Sequence, residues 1–227
     1  MYPETQIGVL IMKDIKNNYT DGGLIDNLLK QEEIKVISEL KDREMASYEY
    51  VKIWRETYSK FGSKPSKYNS SIESLLKTIL SDKTGNQIRR INPLVDIYNL
   101  ISIKHRIPAG GDDIEKISGN IQLTFADGNE KFRKLNSDEY EIADENEVIY
   151  RDEEEVLCRR WNWRECDKSK LTEKTEKVCL FVEGVQLFPK NVINEIIDEL
   201  AELIEKFCGG SVICKEVLNS DNQSVEI

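Results

Sequence analysis

The chain has 227 residues, 39% of them hydrophobic and 33% charged, with only 12 glycines and 5 prolines; that is the composition of a single globular domain and excludes a disordered or fibrous chain. A formal net charge of −10 excludes a dedicated duplex-DNA binder, which needs a basic excess, and leaves room only for transient nucleic-acid contact. No apolar run approaches the ~20 residues that cross a bilayer, and residues 1–6 lack a basic region followed by an apolar core, so a soluble, cytoplasmic protein without a membrane partner is expected.

Residues 6–12 form a short apolar run suited to a buried strand. From Leu24 the pattern turns helical, with Leu24, Leu28 and Leu29, then Ile34, Ile37 and Leu40 after an acidic break. Tyr50, Val51, Trp54, Tyr58 and Phe61 mark a third helical stretch closed by Gly62. Ser70 and Glu73 fit a capping box ahead of Ile72, Leu75, Leu76, Ile79 and Leu80. A further helix is predicted over residues 93–104, with Pro93 in its first turn.

After Pro108 the period changes. Ile121, Leu123 and Phe125 alternate with polar residues, and Asp127-Gly128 predicts a tight turn, with Phe132 and Leu135 beginning the return strand. Residues 147–151 and 156–159 read as two strands around an acidic turn, and Val178, Leu180 and Val182 as another. Val192, Ile193, Ile196, Ile197, Leu200, Leu203, Ile204 and Phe207 define the clearest helix, stopped by Gly209-Gly210. Residues 212–217 offer a last strand before a polar tail, residues 219–227, that is expected to fray. Helices clustered first and strands later indicate an α+β class, with residues 1–218 as one domain.

The five cysteines have irregular spacing and no CxxC pattern, which predicts reduced, mostly buried thiols rather than a disulfide framework. His105 is the only histidine, so neither a zinc site nor a Ser-His-Asp constellation is expected, and no cofactor is implied. No Walker loop, GxGxxG, HExxH or GxSxG motif is present.

Three clusters stand out. Cys158-Arg159-Arg160-Trp161-Asn162-Trp163-Arg164 holds two of the three tryptophans. Read as a strand, it puts Arg160, Asn162 and Arg164 on one face and the tryptophans on the other. The guanidinium groups then either meet a carboxylate or phosphate ligand or pair with the chain's own acidic residues. Asp96 and Asn99 share a helical face, and Gly110-Gly111-Asp112-Asp113 either approaches an amine-bearing ligand or forms a turn whose aspartate caps the next helix. Trp54, Tyr58, Phe61 and Tyr68, with Arg55, Lys64 and Lys67 nearby, read as a helix face with a basic rim.

Together these segments, with Leu94-Val95-Asp96, Gly119-Asn120-Ile121 and Glu147-Val148-Ile149-Tyr150, resemble the B3/B4 editing domain in the beta subunit of phenylalanyl-tRNA synthetase, over residues 54–185. The resemblance leaves residues 1–53 as a helical N-terminal part. It implies a three-layer fold and a pocket sized for an amino acid, where the synthetase domain hydrolyses tyrosine wrongly attached to the phenylalanine tRNA. Asn99 matches a family pocket position. Gly110 stands where the synthetase has a histidine, and Phe181 where it has a tyrosine-sensing glutamate, with Glu183 two residues further on.

Two functions follow as expectations. The first is hydrolysis of mischarged aminoacyl-tRNA in trans, with Arg160 and Arg164 as catalytic residues near a phosphate or the developing oxyanion, and Asn99, Asn162 and Trp163 in the pocket. The second is non-catalytic binding of a free amino acid or small metabolite, with arginines on the carboxylate and Asp112, Asp113 or Glu183 on the amine.

Overall fold

The structure is a computed structural model that describes residue 2 and residues 4–226. Met1, Pro3 and Ile227 lie outside the described residues, and with them parts of the leader and tail readings. The class is α+β. In chain order the elements are β1 (Thr5–Lys13), α1 (Leu24–Leu40), α2 (Glu49–Lys60), α3 (Ser71–Ile79), α4 (Pro93–His105), β2 (Ala109–Asp113) and β3 (Gln122–Phe125). There follow β4 (Lys131–Arg133), β5 (Tyr140–Ile142), β6 (Val148–Arg151), β7 (Val156–Arg159), β8 (Arg164–Glu165), β9 (Val178–Val185), α5 (Lys190–Cys208) and β10 (Ser211–Leu218).

The first sheet runs β10-β1-β9-β2 and is antiparallel throughout. β1, buried along most of its length, is one of its two inner strands, so the N-terminal residues contribute a core strand ahead of helix α1. One face of this sheet carries Leu10, Leu180 and Val182 against α5. Two glycines make that packing close: a Cβ on Gly8 would lie 2.6 Å from the Ile197 methyl, and one on Gly184 2.7 Å from Phe188.

The second sheet runs β3-β6-β7-β8, and a small pair, β4-β5, lies beside β7. The strand expected after Asp127-Gly128 forms as β4, but it pairs with β5 and does not return onto β3, which pairs with β6. The cause is Glu130, whose carboxylate accepts from the backbone N–H groups of Asp127, Gly128 and Asn129 and folds the loop on itself. The acidic turn between β6 and β7 forms as expected, organised by the Asp152 carboxylate, which accepts from Glu154 N and Glu155 N and pairs with Lys168.

The helical readings hold with one correction. Glu32-Glu33 does not break α1, because Glu33 is buried and takes a bidentate pair from Arg90; Ile34 is then left 66% exposed. Ser70 caps α3 by accepting from Glu73 N, while the Glu73 carboxylate turns to Arg55 and Lys77 rather than back to the cap. His105 pairs with Glu199 across α4 and α5. All five cysteines are free and four are buried. No helix among the described residues is long and apolar enough to cross a membrane.

Candidate functional site

The site lies between the two sheets. Because strand residues alternate faces, register alone decides what enters the gap. From the first sheet, Gly110 pairs with Phe181 and Asp112 with Cys179, while Ile7, Val9 and Ile11 pair with Glu183, Phe181 and Cys179. From the second, Tyr150 pairs with Cys158 and Cys158 with Glu165, which puts Tyr150, Cys158 and Glu165 in one row. The rows meet: the Tyr150 and Phe181 rings lie 5.1 Å apart, and the Tyr150 hydroxyl donates to Glu183 Oε1 at 2.7 Å.

On the β1 and β3 side the gap widens into a cleft of about 1250 Å³. Ile7, Val9, Ile11, Ile121, Leu123, Phe181, Tyr150 and Trp161 line it, together with residues of the C-terminal segment. Towards β2 and β8 three carboxylates, Glu183, Asp112 and Glu165, sit on the facing rows of the two sheets, outside the lining of the cleft itself.

Glu183 is 3% exposed; Asn162 Nδ2 donates to its second oxygen at 2.8 Å. Burial raises its pKa to about 7, against the opposing hydrogen bonds from Tyr150 and Asn162. The Trp161 indole N–H lies on the side of this carboxylate yet meets no partner at hydrogen-bond geometry. Asp112, 4% exposed, accepts from the Ser169 hydroxyl at 2.5 Å, and burial raises its pKa to about 6. Glu165 is pushed well above the usual carboxylate range by burial first and by the charges of Asp112 and Glu183 second. Its Oε1 occupies the space over Gly110: a Cβ there would meet it at 3.2 Å. Glu165 has no sequence signature, and only its register opposite Cys158 reveals it.

The Arg-Trp-Asn-Trp-Arg segment is not a strand. It turns after β7, with Arg160 (φ 48°) and Trp161 (φ 69°) both left-handed, a conformation that L-residues adopt only when surroundings enforce it. The enforcing group is Glu147. Its carboxylate accepts from Arg160 N at 2.9 Å and from Arg159 Nε and Nη2 at 3.0 and 2.7 Å. Trp161 N donates to Val148 O, and Trp163 N to Arg159 O.

The expected shared face of Arg160, Asn162 and Arg164 is thereby undone. Trp161 enters the core against Trp54, and Asn162 reaches Glu183. Arg160, 3% exposed, pairs with Asp144 and stacks 3.7 Å above the Tyr68 ring centroid. Arg164 stays exposed and stacks on the half-buried Trp163.

The remaining expected residues separate. Asp113 accepts from Thr175 Oγ1 and from Glu115 N, the capping alternative of its reading. Asn99 is half-buried on α4, one residue after Tyr98, whose phenol is raised by burial and by the charges of Glu165 and Asp112. Thus the structure brings Asp112, Asn162 and Glu183 to the inter-sheet gap, while Trp163 and Arg164 lie outside it. The ion pairs of the described residues take up Arg159, Arg160 and Lys168, and none of them includes Asp112, Glu165 or Glu183. No group of described residues is arranged to hold a metal ion.

Two antiparallel sheets that enclose an apolar cleft, with a group of carboxylates on their facing rows beyond its lining and a helical layer behind, define an α+β domain. The B3/4 domain family matches residues 53–209, and the chain belongs to that family. It is 36% identical over 62 residues to the phenylalanine–tRNA ligase beta subunit of Shewanella oneidensis, covering 27% of this chain and 8% of that protein. It is 35% identical over 74 residues to the same subunit of Mycoplasmoides gallisepticum, covering 33% and 9%. The match therefore spans less than a tenth of these curated relatives. Among solved structures, an N-terminal fragment of the phenylalanyl-tRNA synthetase beta subunit from Pyrococcus horikoshii aligns with a TM-score of 0.44 and 16% identity, over 52% of this chain and 40% of that one.

Proposed function

We propose that this protein recognises the aminoacyl end of a charged tRNA and hydrolyses the ester in trans. The observation that supports this most is Glu183: a buried carboxylate behind the cleft-lining Tyr150 and Trp161, whose side-chain hydrogen bonds among the described residues come from the neutral donors Tyr150 and Asn162. A carboxylate with no cationic partner among the described residues is a group that the α-ammonium of an aminoacyl group can pair with. Attack on the ester then falls to a positioned water, without a protein nucleophile. Arg164, exposed and unpaired among the described residues, is the guanidinium left free to meet a phosphate.

A second reading, binding of a free amino acid without hydrolysis, draws support from Arg160. Asp144 and Glu147 hold its guanidinium, so it is not free for a developing oxyanion.

Thermal-shift measurements with L-amino-acid methyl esters, free acids and N-acetylated esters test the recognition. Esters with a free ammonium raise the melting temperature, N-acetyl esters do not, and Glu183→Gln removes the effect. Equal stabilisation by free acids favours the second reading. Stabilisation that survives N-acetylation, or none at all, contradicts both.

A further inference from the structure

The polar C-terminal segment does not simply trail from β10. Leu218, Asn219, Gln223 and Val225 line the inter-sheet cleft. Val225 packs on the apolar cluster of Ile7, Val9, Ile11 and Cys179, which forms the cleft's floor. Asn219 folds the segment back: its Oδ1 accepts from Asp221 N at 2.8 Å and Asn222 N at 3.0 Å, and its own N–H donates to Asn222 O at 2.7 Å. Beyond this turn, among the described residues only one weak side-chain bond, Asn219 Nδ2 to Gln6 Oε1 at 3.5 Å, ties the segment to β1. It is positioned by one local turn and one valine, and little else.

Tyr2 and Thr5 line the same cleft, and their hydroxyls are buried without hydrogen-bond partners among the described residues, whereas the indole N–H of the lining Trp161 is turned towards Glu183. Unpaired hydroxyls beside an apolar cleft cost stability and leave polar groups next to it that a bound molecule could satisfy. A segment that covers such a cavity with few contacts is drawn from the low-stability end of the fold.

We propose that residues 219–226 are a tethered cover of the inter-sheet cleft, with Val225 as its plug and the Asn219 turn as its hinge, so that a ligand enters only when the cover lifts. The ligand class that fits is a molecule with an apolar body for Ile7, Val9, Ile11 and Phe181 and a polar atom for the Tyr2 or Thr5 hydroxyl. The cover acts on access alone and does not depend on what the cleft finally binds.

Cys179, on the cleft floor beneath Val225, reports its opening; Cys158 and Cys166, buried between the sheets away from the lining, report loosening of the whole fold. The experiment is alkylation of the full-length protein by N-ethylmaleimide, with each cysteine followed by peptide mass in wild type, Val225→Glu and Asn219→Ala. Cys179 reacts about tenfold faster in at least one variant, with Cys158 and Cys166 unchanged, because only the local opening has become easier. An unchanged Cys179 rate in both variants overturns the proposal. So does acceleration that Cys158 and Cys166 always share, since the segment then supports the fold rather than covering the cleft. The readout needs no substrate, so its failure is separate from any failure of aminoacyl recognition.

Discussion

Asn162 joins three parts of the molecule through one amide: its Nδ2 donates to Glu183 Oε2 at 2.8 Å, and its Oδ1 accepts the Tyr58 phenol at 2.9 Å. The turn after β7, the end of β9 and helix α2 are thereby held at fixed distances around Glu183. Asn162→Leu strands the Tyr58 hydroxyl and Glu183 Oε2, while Glu183 Oε1 keeps its bond from Tyr150. It should cost about 2–4 kcal/mol, at about 1–3 kcal/mol per stranded group. Urea denaturation measures this, and a loss below about 0.5 kcal/mol, the range of an ordinary surface change, contradicts the network.

Glu183 also sets a pH dependence. Burial holds its folded pKa at about 7, above the 4.5 of a free glutamate, so the folded state holds a proton that the unfolded state has released between these limits. The contribution is therefore fully present below pH 4.5, falls as pH rises towards 7 and is lost above it, a change of about 3 kcal/mol for this one group. Stability measured from pH 4 to 8 should decline through that window, and Glu183→Gln should flatten the decline. Asp112 and Glu165, also raised, keep a residual slope in the variant. A curve that rises with pH in wild type contradicts the burial argument.

The arginines should divide sharply. Arg160 is buried in pairs with Asp144 and Glu147, whereas Arg164 is exposed. Glu147→Ala strands the buried charges of Arg159 and Arg160 and releases the left-handed turn. It should cost about 3–5 kcal/mol, while Arg164→Ala should stay within about 0.5 kcal/mol of wild type. Equal effects would show that the turn does not depend on Glu147.

Gly8 is a packing test. A Cβ there would lie 2.6 Å from Ile197 Cγ2 and 2.8 Å from Ile193 Cγ2. Gly8→Ala should cost about 1–3 kcal/mol by overpacking. Adding Ile197→Val should recover part of that loss, giving a non-additive double-mutant cycle. Strict additivity contradicts close approach of α5 to β1.

Much of this architecture is legible in the sequence because the signals are local. The apolar stripe of α5, the short run of β1 and the Ser70 cap each follow from residues within a few positions of one another. The α+β class and the B3/4 family were legible too. The failures share a cause: a carboxylate whose effect depends on its fold context. Glu33 is buried with Arg90 and carries α1 through an expected break, and Glu130 folds the loop after β3. Glu147 bends a segment thirteen residues away. Each is one acidic residue among 42, indistinguishable in composition from a solvated one. Glu165 escaped for the same reason. The arginine cluster drew attention because it is dense, yet density also marks a self-paired network, and Arg159 and Arg160 are tied to acidic partners.

The central claim is that the inter-sheet site at Glu183 processes an aminoacyl ester. Deacylation of a panel of correctly and wrongly charged tRNAs tests it directly, with wild type, Glu183→Gln and Arg164→Ala side by side. The account predicts turnover of at least one mischarged species, lost in Glu183→Gln and, in Arg164→Ala, weakened mainly through a raised KM. No turnover across the panel, or full activity in Glu183→Gln, contradicts it.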